Sequence, residues 1–298
     1  IIGGKHVNCS AQIRIVIDGY KEKFSTKDKR FSVPFLPDFQ QVLFEKTGLK
    51  DEIHEVEIEL LNDGWFIFQG IELNADGRLM HVDEVTIIEE LEVGKRIRCH
   101  YKASFNQAGV FSGLGEETAE FIPPESSAEP DGDFYFIMVD EEDGKKKLIA
   151  DRVVQHSISW EELNKVGYIF GTSVFFGERE GIIRSLKGGF AFIDSNGNIS
   201  LTDKGLGAYP LDNEWDKYVL SINNDDVDIF NILSGKQSWC QENPKSGLEH
   251  PVFQHILRDE DVDFNRVFRT KRHNGKGISY DLSSNLRDFR GFRPMLHC

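Results

Sequence analysis

The chain has 298 residues, which is enough for two ordinary domains and too many for one typical hydrophobic core. Its formal net charge of −15 and its pI of about 5.1 leave no general cationic surplus to neutralise phosphate. Non-specific binding to DNA, RNA or an anionic bilayer is therefore disfavoured, although a local basic patch stays open. The sequence contains no run of about 20 apolar residues, so we expect no membrane-spanning helix.

The four cysteines Cys9, Cys99, Cys240 and Cys298 are widely spaced and form no C-x-x-C pair. Neither a zinc site nor a disulfide framework is expected, and buried free thiols are the simpler interpretation. Residues 1–4 have the letters of an activated trypsin-like protease, but the serine and histidine contexts that such an enzyme needs are missing. The favoured interpretation is the apolar start of a strand or a frayed end.

Alternation of apolar and polar residues predicts strands in the first third of the chain. Ile13, Ile15 and Ile17 share one face at period two, and Asp18-Gly19 follows as a turn signal. Many short strands without long helical crossovers between them indicate an antiparallel sandwich or barrel.

Two local predictions in this region are more specific. Residues 56–60 alternate cleanly, a turn signal follows at 62–64, and an apolar run at 65–68 completes a predicted hairpin. Asp38 is predicted to cap a short helix that runs through residues 39–44 and ends at Gly48. Further strands are predicted at residues 31–35, 82–88 and 96–105.

The middle of the chain begins with a Pro/Ser-rich stretch at residues 121–132, which predicts an extended connector. Residues 134–139 and 147–150 then flank an Asp-Gly turn signal and predict a hairpin. Ser159 is predicted to cap a short helix over residues 160–166, with a glutamate at the capping-box position.

A second helix is predicted further along the chain. Asp212 or Asn213 can accept the first backbone N–H groups, and Trp215, Tyr218 and Val219 then fall at i, i+3 and i+4. This spacing predicts one apolar face that packs against a core.

The end of the chain carries three segments that belong together: Asn213-Glu214-Trp215-Asp216-Lys217-Tyr218, the strand Arg266-Val267-Phe268-Arg269, and the closing Gly291-Phe292-Arg293. In this order they resemble the C-type-lectin-like fold in its sulfatase-modifying-factor, or formylglycine-generating-enzyme-like, variant. The set is similar to domains of phage tail and Gram-positive prophage proteins. The resemblance covers roughly the last 180 residues.

The resemblance implies a compact fold whose first and last strands pair, with a long irregular region between them that displays side chains to a ligand. The predicted ligand-binding residues in that region are Trp239, Gln241, Arg269, His273, Asn274, Lys276 and Tyr280. Aromatic and Arg side chains bring large contact areas, and Asn adapts its hydrogen bonds to a partner. The alternative, in which Trp239 is core and residues 273–280 form a solvated loop, stays open.

Together these features predict a mainly β chain with short helices. An antiparallel β-sandwich-like domain is expected over residues 1–112, and a connector with a hairpin over residues 113–156. A C-type-lectin-like α+β domain that binds the ligand is expected over residues 157–298.

The leading functional expectation is a non-enzymatic structural and receptor-binding component of a phage tail, tailocin or related extracellular injection particle. Such a protein is located in the virion or at an extracellular surface. Its expected partners are a host-surface glycan or protein and other particle subunits, but not nucleic acid. A homo-oligomer is expected, and family analogy suggests a trimer.

Two alternatives stay beside this expectation. A secreted or cell-wall adhesin could carry the same lectin-like domain. A sulfatase-modifying-type enzyme would need the paired copper-binding cysteines of that branch, and Cys240 has no such partner motif. No cofactor or metal is expected; Asp225, Asp226 and Asp228 could contribute to a calcium site, but a solvated loop is preferred.

Overall fold

The computed structural model describes residues 1–28, 38–74, 77–189, 208, 212–221, 228–242, 265–270 and 277–298. Within them the chain is mainly β, with several antiparallel sheets and only short helices, so the predicted fold class is confirmed at this level. The chain divides into two compact units, Ile1–Val82 and Asp83–Cys298. In the described residues no helix combines the length and the apolar character that crossing a bilayer requires.

The first unit is built from short strands. Their bounds in the described residues are β1 (Ile2–Lys5), β2 (Ile13–Ile17), β3 (Tyr20–Phe24), β4 (Asp38–Val42), β5 (Val56–Leu60) and β6 (Ile67–Gly70). One antiparallel sheet has the order β4-β1-β6 and the other has the order β3-β2-β5. This is the sandwich-like β architecture that the sequence predicts.

Strand β2 follows its sequence pattern. Ile13, Ile15 and Ile17 are buried on one face, as predicted from their alternation. The turn into β3 places Asp18 at φ 51° and Gly19 at φ 83°, which is the left-handed conformation that a two-residue hairpin turn needs.

Two local predictions in this unit are wrong. Residues 56–60 and 65–68 do not form a hairpin, because β5 pairs with β2 whereas β6 pairs with β1 in the other sheet. Residues 38–42 form a strand instead of the start of a helix, because Ile2 pairs with Val42 and Gly3 with Gln41. Both errors concern partners that are far apart in the chain. The predicted strand at residues 31–35 lies outside the described residues.

The second unit contains the remaining described strands and the helices. The strands are β7 (Glu84–Val85), β8 (Arg96–Lys102), β9 (Val110–Ser112), β10 (Asp131–Glu142), β11 (Lys145–Ala150), β12 (Gln155–His156), β13 (Thr172–Phe176), β14 (Arg179–Ser185), β15 (Gln237–Trp239), β16 (Asn265–Arg269), β17 (Ile278–Leu282), β18 (Arg290–Phe292) and β19 (Pro294–His297). The helical segments are a 3₁₀ turn at Ile88–Glu90, helix α1 (Trp160–Lys165), a π-helix at Trp215–Leu220 and a 3₁₀ turn at Ile232–Ser234.

These strands form two sheets. The larger has eight strands in the order β13-β14-β19-β11-β10-β8-β7, with β9 also paired to β8, and the smaller has the order β12-β18-β15-β16-β17. The last strand, β19, lies between β14 and β11. The closing strand therefore pairs with two earlier strands of its own unit, although neither is the first strand of that unit.

Both helix predictions in this unit are confirmed in their essentials. Ser159 caps α1, and its hydroxyl accepts a hydrogen bond from the backbone N–H of Glu162. Before the π-helix, the Asn213 side chain accepts from the amide of Asp216 at 3.0 Å. The three residues predicted for the apolar face of that helix are all buried: Trp215, Tyr218 and Val219.

The larger sheet is covered on both faces. On β10, Phe134 and Phe136 belong to a cluster with Trp160 of α1, whereas Ile137 belongs to a second cluster with Trp215 of the π-helix. Strands that are buried on both faces lose the alternation of apolar and polar residues, which explains the continuous apolar run in this part of the sequence.

The predicted domain boundaries differ from this division. Strand β8 pairs with β10, and β10 pairs with β11, so all three strands belong to the larger sheet of the second unit. Residues 113–156 therefore include two central strands, although the sequence predicts a connector with a hairpin. The hairpin itself is present, with Asp143 and Gly144 at its turn.

Candidate ligand-binding cleft

A polar cleft of 560 Å³ opens in the second unit, between the tip of the β10–β11 hairpin, the end of β14 and the π-helix. Its lining is polar or charged at every position and includes six acidic side chains, three lysines, an asparagine and a tyrosine. The lining residues are Asp140, Glu141, Glu142, Lys147, Lys187, Asp212, Asn213, Glu214, Lys217, Tyr218 and Glu242.

One wall of the cleft is a hydrogen-bonded triad. Lys217 of the π-helix donates to Asp140 at 3.1 Å and to the hydroxyl of Tyr218 at 2.9 Å, and the same hydroxyl donates to Asp140. The hydrogen bonds from Tyr218 and Lys217 lower the pKa of Asp140 to about 2. Asp140 is therefore ionised at all ordinary pH values, and it presents a fixed acceptor to the cleft.

The opposite wall holds two carboxylates on neighbouring backbone amides. Glu214 accepts from the amide of Lys187, and Glu242 accepts from the amide of Gly188, each at 2.8 Å. The two amides follow β14 directly, so the end of the larger sheet fixes both side chains.

The environments of these carboxylates differ. Burial alone would raise the pKa of Glu214, but the hydrogen bonds and the charge of Arg184 outweigh it and hold the pKa below its ordinary value. Burial raises the pKa of Glu242, and the charge of Glu214 adds to that effect. Glu214 thus stays charged, whereas Glu242 takes up a proton more readily than an exposed glutamate.

Gly188 is required at this position by its surroundings. A Cβ atom there would lie 2.5 Å from the Sγ atom of Cys240 and 2.9 Å from the side chain of Arg269. A glycine lets the chain pass close to both residues while its amide binds Glu242.

Two residues predicted to bind ligand form hydrogen bonds to the backbone next to the cleft. Arg269 is fully buried and donates to the carbonyl of Gly188, to Asp216 of the π-helix and, at 3.1 Å, to the carbonyl of Gly277. Gln241 is partly buried and donates to the carbonyl of Ser185 at 2.9 Å. The prediction that Arg269 contacts the ligand is corrected, because its side chain has no exposed surface.

Trp239 is a core residue. Its ring is fully buried, its Nε1–H donates to the carbonyl of Ile158 at 2.9 Å, and Phe268 packs edge-on against it at 6.1 Å. The prediction that Trp239 is displayed to a ligand is therefore corrected in favour of the core alternative. This tryptophan fills the interior because its single donor finds a carbonyl there.

Of the other predicted ligand-binding residues, the structure describes only the backbone of one. Tyr280 belongs to β17, where its backbone pairs with Val267. His273, Asn274 and Lys276 lie outside the described residues.

The cleft residues were not predicted from the sequence, although one signal was present. The segment predicted as a helix contains Glu214 and Lys217 next to its apolar positions, and these polar residues line the cleft. Glu242 and Lys187 had no such signal, because neither stands in a pattern that predicts a shared location.

The donors and acceptors of the cleft suit a ligand with many hydroxyl groups.

Within the described residues, no group of three or more His, Cys, Asp or Glu side chains could hold a metal ion. Asp225 and Asp226 lie outside the described residues, and Asp228 accepts a hydrogen bond from the amide of Ile232. All four cysteines are free, and Cys9, Cys99 and Cys240 are buried, as predicted.

Comparisons of the chain with protein-family models, curated proteins and solved structures found no match.

Proposed function

We propose that the chain is a non-enzymatic structural and receptor-binding component of a phage tail, tailocin or related extracellular injection particle. In this proposal its second unit binds a host-surface glycan in the polar cleft. The observation that carries the proposal is the chemistry of the cleft lining, in which charged and hydrogen-bonding side chains occupy every position.

The lining selects among ligand classes. Sites for apolar small molecules are lined mostly by hydrophobic and aromatic side chains, and this cleft is not. Sugar hydroxyls donate and accept hydrogen bonds, so Asp140 and Glu242 can accept from them while Lys187 and Lys217 donate. Because acidic side chains outnumber lysines two to one, a neutral or amine-bearing glycan fits better than a phosphate-rich polymer.

The particle role is supported by the resemblance and by the first unit. Two of the three motif segments that resemble phage tail domains contribute strands β16 and β18 to one sheet, and the third contributes to the π-helix. We assign attachment to other particle subunits to the first unit, because its strands carry exposed apolar side chains, which mark contact surfaces when they are contiguous. They are Tyr20, Phe39, Val42, Val56, Leu60 and Phe68.

Calorimetric titration of the full chain tests the glycan site. The probes are neutral, amine-bearing and phosphate-bearing oligosaccharides prepared from bacterial cell walls. We expect binding of a neutral or amine-bearing oligosaccharide, and we expect Lys217→Ala and Glu242→Gln to weaken it about tenfold or more. Glu178→Gln is the matched control, because Glu178 is exposed in the same unit and lies outside the cleft.

Three results would count against the proposal. Equal affinity of the cleft variants and the wild type would remove the cleft from the site. Preference for the phosphate-bearing oligosaccharide would contradict the charge argument. Location of the native protein in a cell wall, and not in a particle, would favour the adhesin alternative.

A further inference from the structure

The three-stranded sheet β3-β2-β5 has two edges. Within the described residues, β3 and β5 each pair with β2 on one side and with no strand on the other. Their outer backbone groups are available to another strand, and exposed edges of this kind are common sites of association between chains.

The two edges carry opposite charge. On the face that presents Arg14 and Val16, each row of side chains runs from a lysine on β3 across β2 to a glutamate on β5. Lys21, Lys23 and Glu57 on these edges are exposed. Among the described residues, an ion pair with Arg14 neutralises Glu59 within the sheet. The rows are Lys21–Val16–Glu57 and Lys23–Arg14–Glu59.

The other face of the same edges is mainly apolar. Tyr20 on β3 and Val56 and Leu60 on β5 are exposed, with 79%, 44% and 42% of their surfaces accessible. These residues belong to the rows Tyr20–Ile17–Val56 and Phe24–Ile13–Leu60, so apolar residues stand at both edges.

We propose that this sheet binds a second copy of the same chain, with β5 of one protomer beside β3 of the next. In register, Glu57 of one copy then lies beside Lys21 of its neighbour, and Leu60 lies beside Phe24. Opposite charges and apolar pairs on adjacent strands both stabilise a sheet. One row is not complementary: it brings Ile58 beside Glu22, whose charge is paired with Lys46.

The charge pattern also selects the symmetry of the contact. A two-fold contact of β3 with β3, or of β5 with β5, would place like charges together and is disfavoured. The contact of β5 with β3 is head-to-tail, and such contacts close into a ring when a rotation relates the copies. Because β3 and β5 are both antiparallel to β2, they point the same way, and a rotation axis along the strands preserves this direction.

This inference deepens the subunit contact that the proposed function assigns to the first unit, and it does not depend on what the cleft binds. Charge reversal of the row Lys21–Val16–Glu57 tests it, with the oligomeric mass measured by sedimentation over a range of protein concentrations. We expect the wild-type chain to form an oligomer. We expect Lys21→Glu and Glu57→Lys each to weaken it about tenfold or more, because each places like charges in contact.

The double variant K21E/E57K decides the interpretation. It again places opposite charges across the contact, now with glutamate on β3 and lysine on β5. We therefore expect its association constant to be within about threefold of that of the wild type. Glu178→Lys, in the second unit, controls for a change in net charge. A wild-type monomer at high concentration, single variants that assemble normally, or a double variant that stays dissociated would each overturn the inference.

Glycan binding is measured separately on the same proteins. If the variants with reversed charges bind the oligosaccharide with unchanged intrinsic affinity, the assembly contact and the cleft are independent. If the wild type assembles through this row but binds no glycan, the proposed function fails and the assembly inference stands.

Discussion

Glu214 and Glu242 are held at the end of β14 by the amides of two consecutive residues, Lys187 and Gly188. Arg184 keeps Glu214 charged, whereas burial raises the pKa of Glu242. Burial in the cleft thus destabilises the ionised form of Glu242. Such an unfavourable environment is common at residues that are retained for ligand binding.

Substitution of Glu242 by Gln tests this cost. Because its pKa is higher in the folded chain than the ordinary value, the folded state loses stability as pH rises through that range. The amide oxygen of Gln can still accept from Gly188. We expect Glu242→Gln to raise the free energy of unfolding at pH 7 by roughly 0.5–1 kcal/mol and to leave it unchanged near pH 4. Denaturant titrations at both pH values measure this, and a variant less stable than the wild type at pH 7 would refute it.

For His297 we expect the opposite dependence of stability on pH. Burial, followed by the charge of Arg184, lowers its pKa from 6.5 to about 4, with Lys145 and Lys147 acting in the same direction and Glu214 opposing them. The unfolded chain therefore binds the proton more tightly, and stability is lost as pH falls from 6.5 towards 4.

We expect His297→Gln to reduce this loss by about 1–2 kcal/mol, less than the full shift implies because the ring is partly exposed. The measurement is the free energy of unfolding of both proteins at several pH values between 4 and 7. Parallel curves for wild type and variant would show that His297 is not responsible.

Gly291 is predicted to be irreplaceable by Ala. It lies in β18, paired with β12, and a Cβ atom would stand 1.8 Å from the carbonyl oxygen of Gln155. Backbone cannot yield by that much, so we expect Gly291→Ala to cost more than about 3 kcal/mol of stability or to prevent folding. Gly70→Ala is the control, because nothing lies within 4 Å of a Cβ there. A melting temperature for Gly291→Ala equal to that of the control would contradict this packing.

Much of the local structure could be predicted from sequence, since local physics determines it. The alternation of Ile13, Ile15 and Ile17 predicts a half-buried strand, and Ser159 with its capping hydroxyl predicts the start of α1. The spacing of Trp215 and Tyr218 predicts a buried helical face, although not that the turn is a π-helix.

The predictions that failed concern strands whose partners are distant in the chain. Nothing local to residues 56–60 indicates that β2 is their partner, and nothing local to Val42 indicates its pairing with Ile2. The cleft was missed for the same reason, because Asp140 on β10, Glu214 before the π-helix and Glu242 after β15 come together only when both sheets and the π-helix are in place.

Substitution of Trp239 distinguishes a structural role from a ligand-binding role. We expect Trp239→Phe to lower stability by about 1–3 kcal/mol, because it leaves the carbonyl of Ile158 without its donor and removes buried volume. Its effect on glycan affinity should be within about twofold. Lys217→Ala should show the reverse, with weaker glycan binding and a small change in stability. A tenfold loss of affinity in Trp239→Phe, at full stability, would return Trp239 to the site.

The most direct test is an experimental structure of the full chain with a cell-wall oligosaccharide bound. We expect sugar hydroxyl groups within hydrogen-bond distance of Asp140, Lys217 and Glu242, in the cleft at the end of β14. An oligosaccharide bound elsewhere on the chain, with these three side chains untouched, would contradict this expectation.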